Sequence, residues 1–119
     1  MTKTVAQIDL VWADDESQAL CVHAILSDGK LASEKMYCHL REWNGQENEI
    51  YPGLLVDQDG KRCTYFAEWG FDQKWIDFFV FLDQPLAVGQ SVSRTHILLS
   101  TPETLTYRIT AVIQLLPEC

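Results

Sequence analysis

Three side chains, His23, His39 and His96, have ordinary pKa values close enough to neutrality to move a proton under physiological conditions. His39 stands two residues from both Tyr37 and Arg41, so an extended backbone puts all three on one face. Such a face could grip a carboxylate or phosphate, because arginine offers a planar fork of donors and tyrosine a hydroxyl. It is equally at home as a solvated sheet surface. His96 is in phase with Arg94 and has the same two readings. His23 lies between Val22 and Ala24, a setting that suits a hydrogen-bonded core residue. An enzyme built on His39 or His96 would need a carboxylate and a reacting group nearby. The sequence places no acid, base and nucleophile together at a recognisable spacing. A non-catalytic protein is therefore the expectation.

Other chemistries have less support. No G-x-S-x-G elbow occurs, and no cysteine adjoins a glycine-rich turn or a helix start that would lower its pKa. The six glycines are scattered singly and make no phosphate loop. Cys21, Cys38, Cys63 and Cys119 form no C-x-x-C pair and have no histidine at ligand spacing. The apolar or alternating surroundings of Cys21, Cys38 and Cys63 suit buried, reduced thiols. Asp14-Asp15-Glu16 lacks the glycine and spaced ligands of a calcium loop, and Asp57 with Asp59 reads as turn chemistry. No metal and no cofactor are expected.

The aromatic residues are the stronger signal. Ten of the thirteen fall between Glu42 and Phe81. Adjacent rings such as Tyr65-Phe66 and Phe78-Phe79 must point to opposite faces of a strand, so a single core layer cannot absorb them all. Trp69, Phe71 and Trp75 flank Gly70 in an expected connection, where they would serve as a lid on an open sheet end or as a recognition site. With Trp43 and Tyr51 they make a candidate patch for a protein partner or a second copy of the chain. The alternative is a barrel whose surplus rings line a pocket for a small apolar molecule. Tyr37, His39 and Arg41 would then be its polar groups, if their face turned inward.

These residues have to be positioned by strands. From Leu105 to Leu115 alternate positions are apolar, and only Val112 breaks the polar set between them. Ser91–Leu99 precedes this strand and is expected to pair with it as a hairpin. Asp59-Gly60 marks a second hairpin, between 53–56 and 63–67. Turns are expected at 14–17 and 27–30, after strands at 5–12 and 19–26. In Lys35–Arg41, Met36, Cys38 and Leu40 share one face. Ile76–Leu82 is apolar on both sides apart from Asp77 and Asp83, which suggests a doubly covered strand. One helical turn could form at 46–50 and another at 71–76. About eight short strands in one domain, 1–119, make an all-β antiparallel sandwich or small half-open barrel.

The net charge of −8 argues against nucleic acid and anionic membranes, which need a positive surface, and permits a basic partner. No apolar run approaches the ~20 residues that span a bilayer, and the N-terminal residues lack the pattern of a secretory signal. A cytoplasmic location follows as an expectation.

Overall fold

A computed structural model describes residues 3–43, 45–70, 75–98 and 100–116, without the side chains of Trp75, Leu98 and Leu116. The described residues form strands β1 (Lys3–Trp12), β2 (Asp15–Ser27), β3 (Lys30–Leu31), β4 (Lys35–Trp43), β5 (Asn48–Asp57), β6 (Thr64–Trp69), β7 (Trp75–Val80), β8 (Ser91–Leu98) and β9 (Thr101–Leu116). They contain no helix. The helical turn expected at 46–50 is extended from Asn48 onward. Of that expected at 71–76, residues 71–74 lie outside the described residues.

Every pairing is antiparallel, and β3 apart, strands consecutive in sequence are neighbours in space. The order runs β1-β9-β8-β7-β6-β5-β4-β2 and closes through β1–β2, with β3 added to the end of β2. The chain is thus an all-β protein, a closed eight-stranded up-and-down barrel with one extra strand. Of the two architectures the sequence left open, the barrel is found. Closure pairs both flanks of every barrel strand and leaves no long exposed edge.

Turn chemistry explains the connections. Asp28 and Gly29 both have positive φ, 52° and 85°, the signature of the tight hairpin turn whose twist matches its flanking strands. Asp57 organises the β5–β6 turn by accepting from the backbone of Asp59 and Arg62 and pairing with the Arg62 guanidinium.

Inward positions alternate around the barrel. They include Ala6, Ile8 and Leu10 of β1, Met36, Cys38 and Leu40 of β4, Tyr65, Ala67 and Trp69 of β6, and Val92 and Arg94 of β8. One end is sealed. Leu31 and Ser33 are buried there, the Tyr65 hydroxyl donates to the Ser33 carbonyl at 2.8 Å, and Phe81 meets Tyr65 edge-on.

The long C-terminal alternation does not run through. β9 changes register against β1 between Asp9 and Leu10, which pair with Ala111 and Ile109. The extra residue, Thr110, reverses the phase. Ile109 is buried and Val112 packs against the core, whereas Ile113 and Leu115 are 45% and 43% exposed. The residue that spoiled the period of two is the one that faces inward, because a bulge re-aims every side chain beyond it. Accordingly, Val112→Asp should lower the unfolding free energy by about 2 kcal/mol or more, while Ile113→Asp should stay within about 1 kcal/mol. Urea denaturation of the two variants checks this, and the opposite ranking would rule out the bulge.

Candidate functional site

β7 brings Asp77 into the barrel, because it shares the phase of the buried Phe79. The sequence reading took it for an exception on an apolar strand. In the fold it is completely buried, while its neighbours Ile76 and Val80 face outward and are exposed. β8 supplies the counter-charge, since Val92, Arg94 and His96 point inward together. Arg94 Nε donates to Asp77 Oδ1 at 2.8 Å and Nη2 to Oδ2 at 3.1 Å, a bidentate pair. His96 Nδ1 lies 2.9 Å from Oδ1, and Trp69 Nε1 donates to Oδ2 at 2.9 Å. Four contacts use the acceptor capacity of the carboxylate. An ionised carboxylate only accepts, so His96 carries a proton on Nδ1. Burial alone would raise the Asp77 carboxyl. The hydrogen bonds and charge of Arg94, with the bonds from His96 and Trp69, outweigh it and hold the group below its ordinary value.

The network continues toward solvent. Arg94 Nη1 donates to the Tyr107 hydroxyl at 2.9 Å, that hydroxyl donates to Gln18 Oε1, and Gln18 Nε2 donates to Glu42 Oε1 at 2.9 Å. Phe79 lies under the guanidinium, with its ring centre 5.7 Å from Cζ. Of these polar groups Gln18, Glu42, Arg94 and His96 line a cavity of about 360 Å³ at the unsealed end of the barrel, and Asp77 and Tyr107 lie buried behind them. Trp12, Tyr51 and Trp69 line it with Leu40 and Leu105, and Glu42, His96 and Glu103 add polar walls. The Trp69 indole can cross the interior because Gly53 lies opposite it in β5. A Cβ at Gly53 would stand 2.8 Å from Trp69 Cε3 and 2.8 Å from the Glu68 carbonyl oxygen.

The residues singled out in the sequence are divided by the fold. Tyr51 and Trp69 reach the cavity. Trp43 is 51% exposed near the tip of the β4–β5 hairpin and does not line it. Phe71 and the side chain of Trp75 lie outside the described residues. Tyr37, His39 and Arg41 face out, because Met36, Cys38 and Leu40 of the same strand face in. The pocket role considered for them required the opposite, and they take no part in the barrel mouth. Tyr37 instead bridges His23 and His39 on the outer wall, with ring centres 5.6 and 5.8 Å away. His39 and Arg41 border a larger outer hollow of about 540 Å³ that also touches Asp9, Cys21 and His23. It is no more open to solvent than the cavity at the barrel mouth. The Cys21 thiol there is pushed up to about 11 by burial and by Asp9, so it stays protonated.

Of the other cysteines, Cys38 is buried as expected and burial raises it to about 12. Cys21 and Cys63 are only half-buried, and Cys119 lies outside the described residues. Sequence reasoning missed Trp12, Gln18, Glu42, Asp77, Glu103, Leu105 and Tyr107. The one usable signal was a lone aspartate and a lone arginine, each in phase with buried apolar neighbours.

An Asp–His pair at a cavity floor is the arrangement that orients a general base. The described lining residues include no serine, threonine, cysteine or lysine to act with it. Among the described residues no three His, Cys, Asp or Glu side chains come together as a metal ion would require. Comparison with protein-family models, curated proteins and solved structures finds no match.

The buried pair makes two linked predictions. Asp77→Asn leaves Arg94 without a counter-charge and should cost about 3–5 kcal/mol, whereas Asp77→Leu combined with Arg94→Met should cost less than the sum of the single changes. The Asp77 carboxyl titrates near 3.8 when unfolded and lower when folded. Its contribution is therefore fully present above about pH 4 and lost as pH falls further. Urea melts between pH 7 and pH 2.5 should show the wild-type advantage over Asp77→Asn shrinking only in that acid range. An advantage that holds constant down to pH 2.5 would refute the linkage.

Proposed function

We propose that this protein binds a small molecule in the barrel mouth, and that it does so without catalysing a reaction. The observation that carries this reading is the cavity walled by Trp12, Tyr51, Trp69, Leu40 and Leu105 over Arg94 and His96, which the buried Asp77 holds in place. Its volume falls within the ~300–1,000 Å³ usual for small-molecule sites, and barrel mouths are a common place for them. An eight-stranded barrel has an interior just wide enough for its own side chains or one small ligand. Here buried side chains occupy the interior, and a cavity of about 360 Å³ lies at the mouth. The floor is organised by bonds within the protein, so a ligand would meet a preformed surface and lose little affinity to ordering it. The acidic charge argues against nucleic acid and anionic membrane as partners, and a cytoplasmic location suits the unpaired thiols.

A second reading, association with another copy of the chain, is favoured by a different feature. The outward side chains of β5 to β8 include Leu54, Val56, Phe66, Ile76, Phe78, Val80 and Ile97, with Phe66 and Phe78 in edge contact at 5.4 Å. A wall this apolar on so acidic a protein is where two copies could meet with least repulsion.

A neutral fluorescent probe, N-phenyl-1-naphthylamine, tests the first reading. Leu105→Trp, which fills the mouth, should weaken its binding at least tenfold, and Phe66→Gln on the outer wall should leave it unchanged. Equal binding by Leu105→Trp and the wild type would refute the cavity as the site. Sedimentation equilibrium tests the second reading. A dimer that Phe66→Lys dissociates is expected, and a monomer at all concentrations up to roughly 100 μM, well above the Kd of an ordinary specific interface, would exclude it.

A further inference from the structure

Charge inside the barrel mouth is unevenly distributed. Asp77 cancels Arg94, the cavity's arginine, at bidentate hydrogen-bond distance, and three of the five guanidinium N–H groups are already committed to Asp77 and Tyr107. Glu42 and Glu103 remain on the walls, and neither forms a salt bridge among the described residues. Glu42 gives one oxygen to the Gln18 amide, which neutralises nothing. The lining therefore carries two carboxylates outside any salt bridge among the described residues, beside three large aromatic rings. Tyr51 adds to this, because its hydroxyl donates to Glu49. That bond, then burial, push the phenol up to about 12, so it stays a neutral ring made more electron-rich by its carboxylate acceptor. Tryptophan and tyrosine faces attract cations, and carboxylates on the same wall reinforce the attraction.

An anionic ligand would face the reverse situation. It would approach a guanidinium whose charge Asp77 has already balanced, past two carboxylates, on a molecule of net charge −8. An uncharged apolar ligand would fit the rings and leave the two wall carboxylates to lose hydration without compensation.

We infer that the ligand of the barrel mouth is a small organic cation, a protonated or quaternary amine with an apolar body, held by Glu42 and Glu103 against Trp12, Tyr51 and Trp69. The inference rests on the cavity being a binding site, and it names the class of ligand.

Three probes that share one phenyl ring separate the possibilities: benzyltrimethylammonium, benzyl alcohol and benzoate, titrated calorimetrically into the intact protein at low salt. Benzyltrimethylammonium should bind at least tenfold tighter than benzyl alcohol, with benzoate weakest, and added salt should weaken only the cation. Glu42→Gln and Glu103→Gln should each reduce cation affinity by about three- to tenfold, the range of one partly exposed charge or cation–π contact, and leave benzyl alcohol within twofold. Glu68→Gln, which removes the same charge from the outer wall, should change neither. Binding of benzyl alcohol or benzoate as tightly as the cation would overturn the charge assignment while keeping the cavity. An equal loss in Glu68→Gln would overturn it too, by reducing the effect to net charge. Failure of all three probes would overturn both the inference and the cavity reading beneath it.

Discussion

A carboxylate with no exposed surface, inside a barrel only eight strands around, can remain ionised only if its partners come from the same interior. Asp77 meets this condition through Arg94, His96 and Trp69. Taking each charge out of water costs several kcal/mol, and the pair restores that only with good geometry and its remaining hydrogen-bonding groups satisfied. The fork on the carboxylate and the Tyr107 bond supply both. Such a pair adds little net stability over a packed apolar one. What it does instead is fix orientation: the His96 tautomer, the Trp69 indole and the Tyr107 hydroxyl all take their places from it. The barrel mouth is shaped by groups that answer to this one charge.

The same constraint divides the interior. Toward the sealed end the rings of Tyr65, Phe79 and Phe81 interlock and leave no need for polar partners beyond the Tyr65 hydroxyl bond to Ser33. Toward the mouth the network rises step by step, Asp77 to Arg94 to Tyr107 to Gln18 to Glu42, until it reaches water. Each link along it pairs a donor with an acceptor, so buried polarity is carried outward rather than stranded. The cavity begins where this ladder meets the aromatic walls. Its floor is polar, and its walls are mostly apolar with the carboxylates of Glu42 and Glu103 among them.

The surplus of rings between Trp43 and Phe81 is resolved in a way neither a single patch nor a single pocket would describe. Tyr65 and Phe79 fill the core, Tyr51 and Trp69 wall the cavity, Phe66 and Phe78 lie on the outer wall, and Trp43 stands in solvent near a hairpin tip. Strand alternation alone forces the first and third groups apart. The position of Trp69 needed something more: a glycine opposite it in β5 and a carboxylate one strand away.

Period-two alternation and turn residues were enough to determine the all-β class, the β5–β6 and β8–β9 hairpins, the Asp28-Gly29 turn and the shared face of Met36, Cys38 and Leu40, because each depends on neighbours within one or two strands. The direction of the Tyr37–His39–Arg41 face was undetermined, since alternation separates two faces without saying which one is inside. The phase reversal at Thr110 was equally hidden, because a bulge follows from how β9 must bend along β1. The site was out of reach for a related reason. Gln18 and Tyr107 touch across 89 residues, and Asp77 and Arg94 across 17. Ring closure through β1 brings the first pair together, whereas the second follows from the pairing of β7 with β8. Residue types settled which groups could carry charge or stack, and the geometry of a closed barrel settled which of them meet.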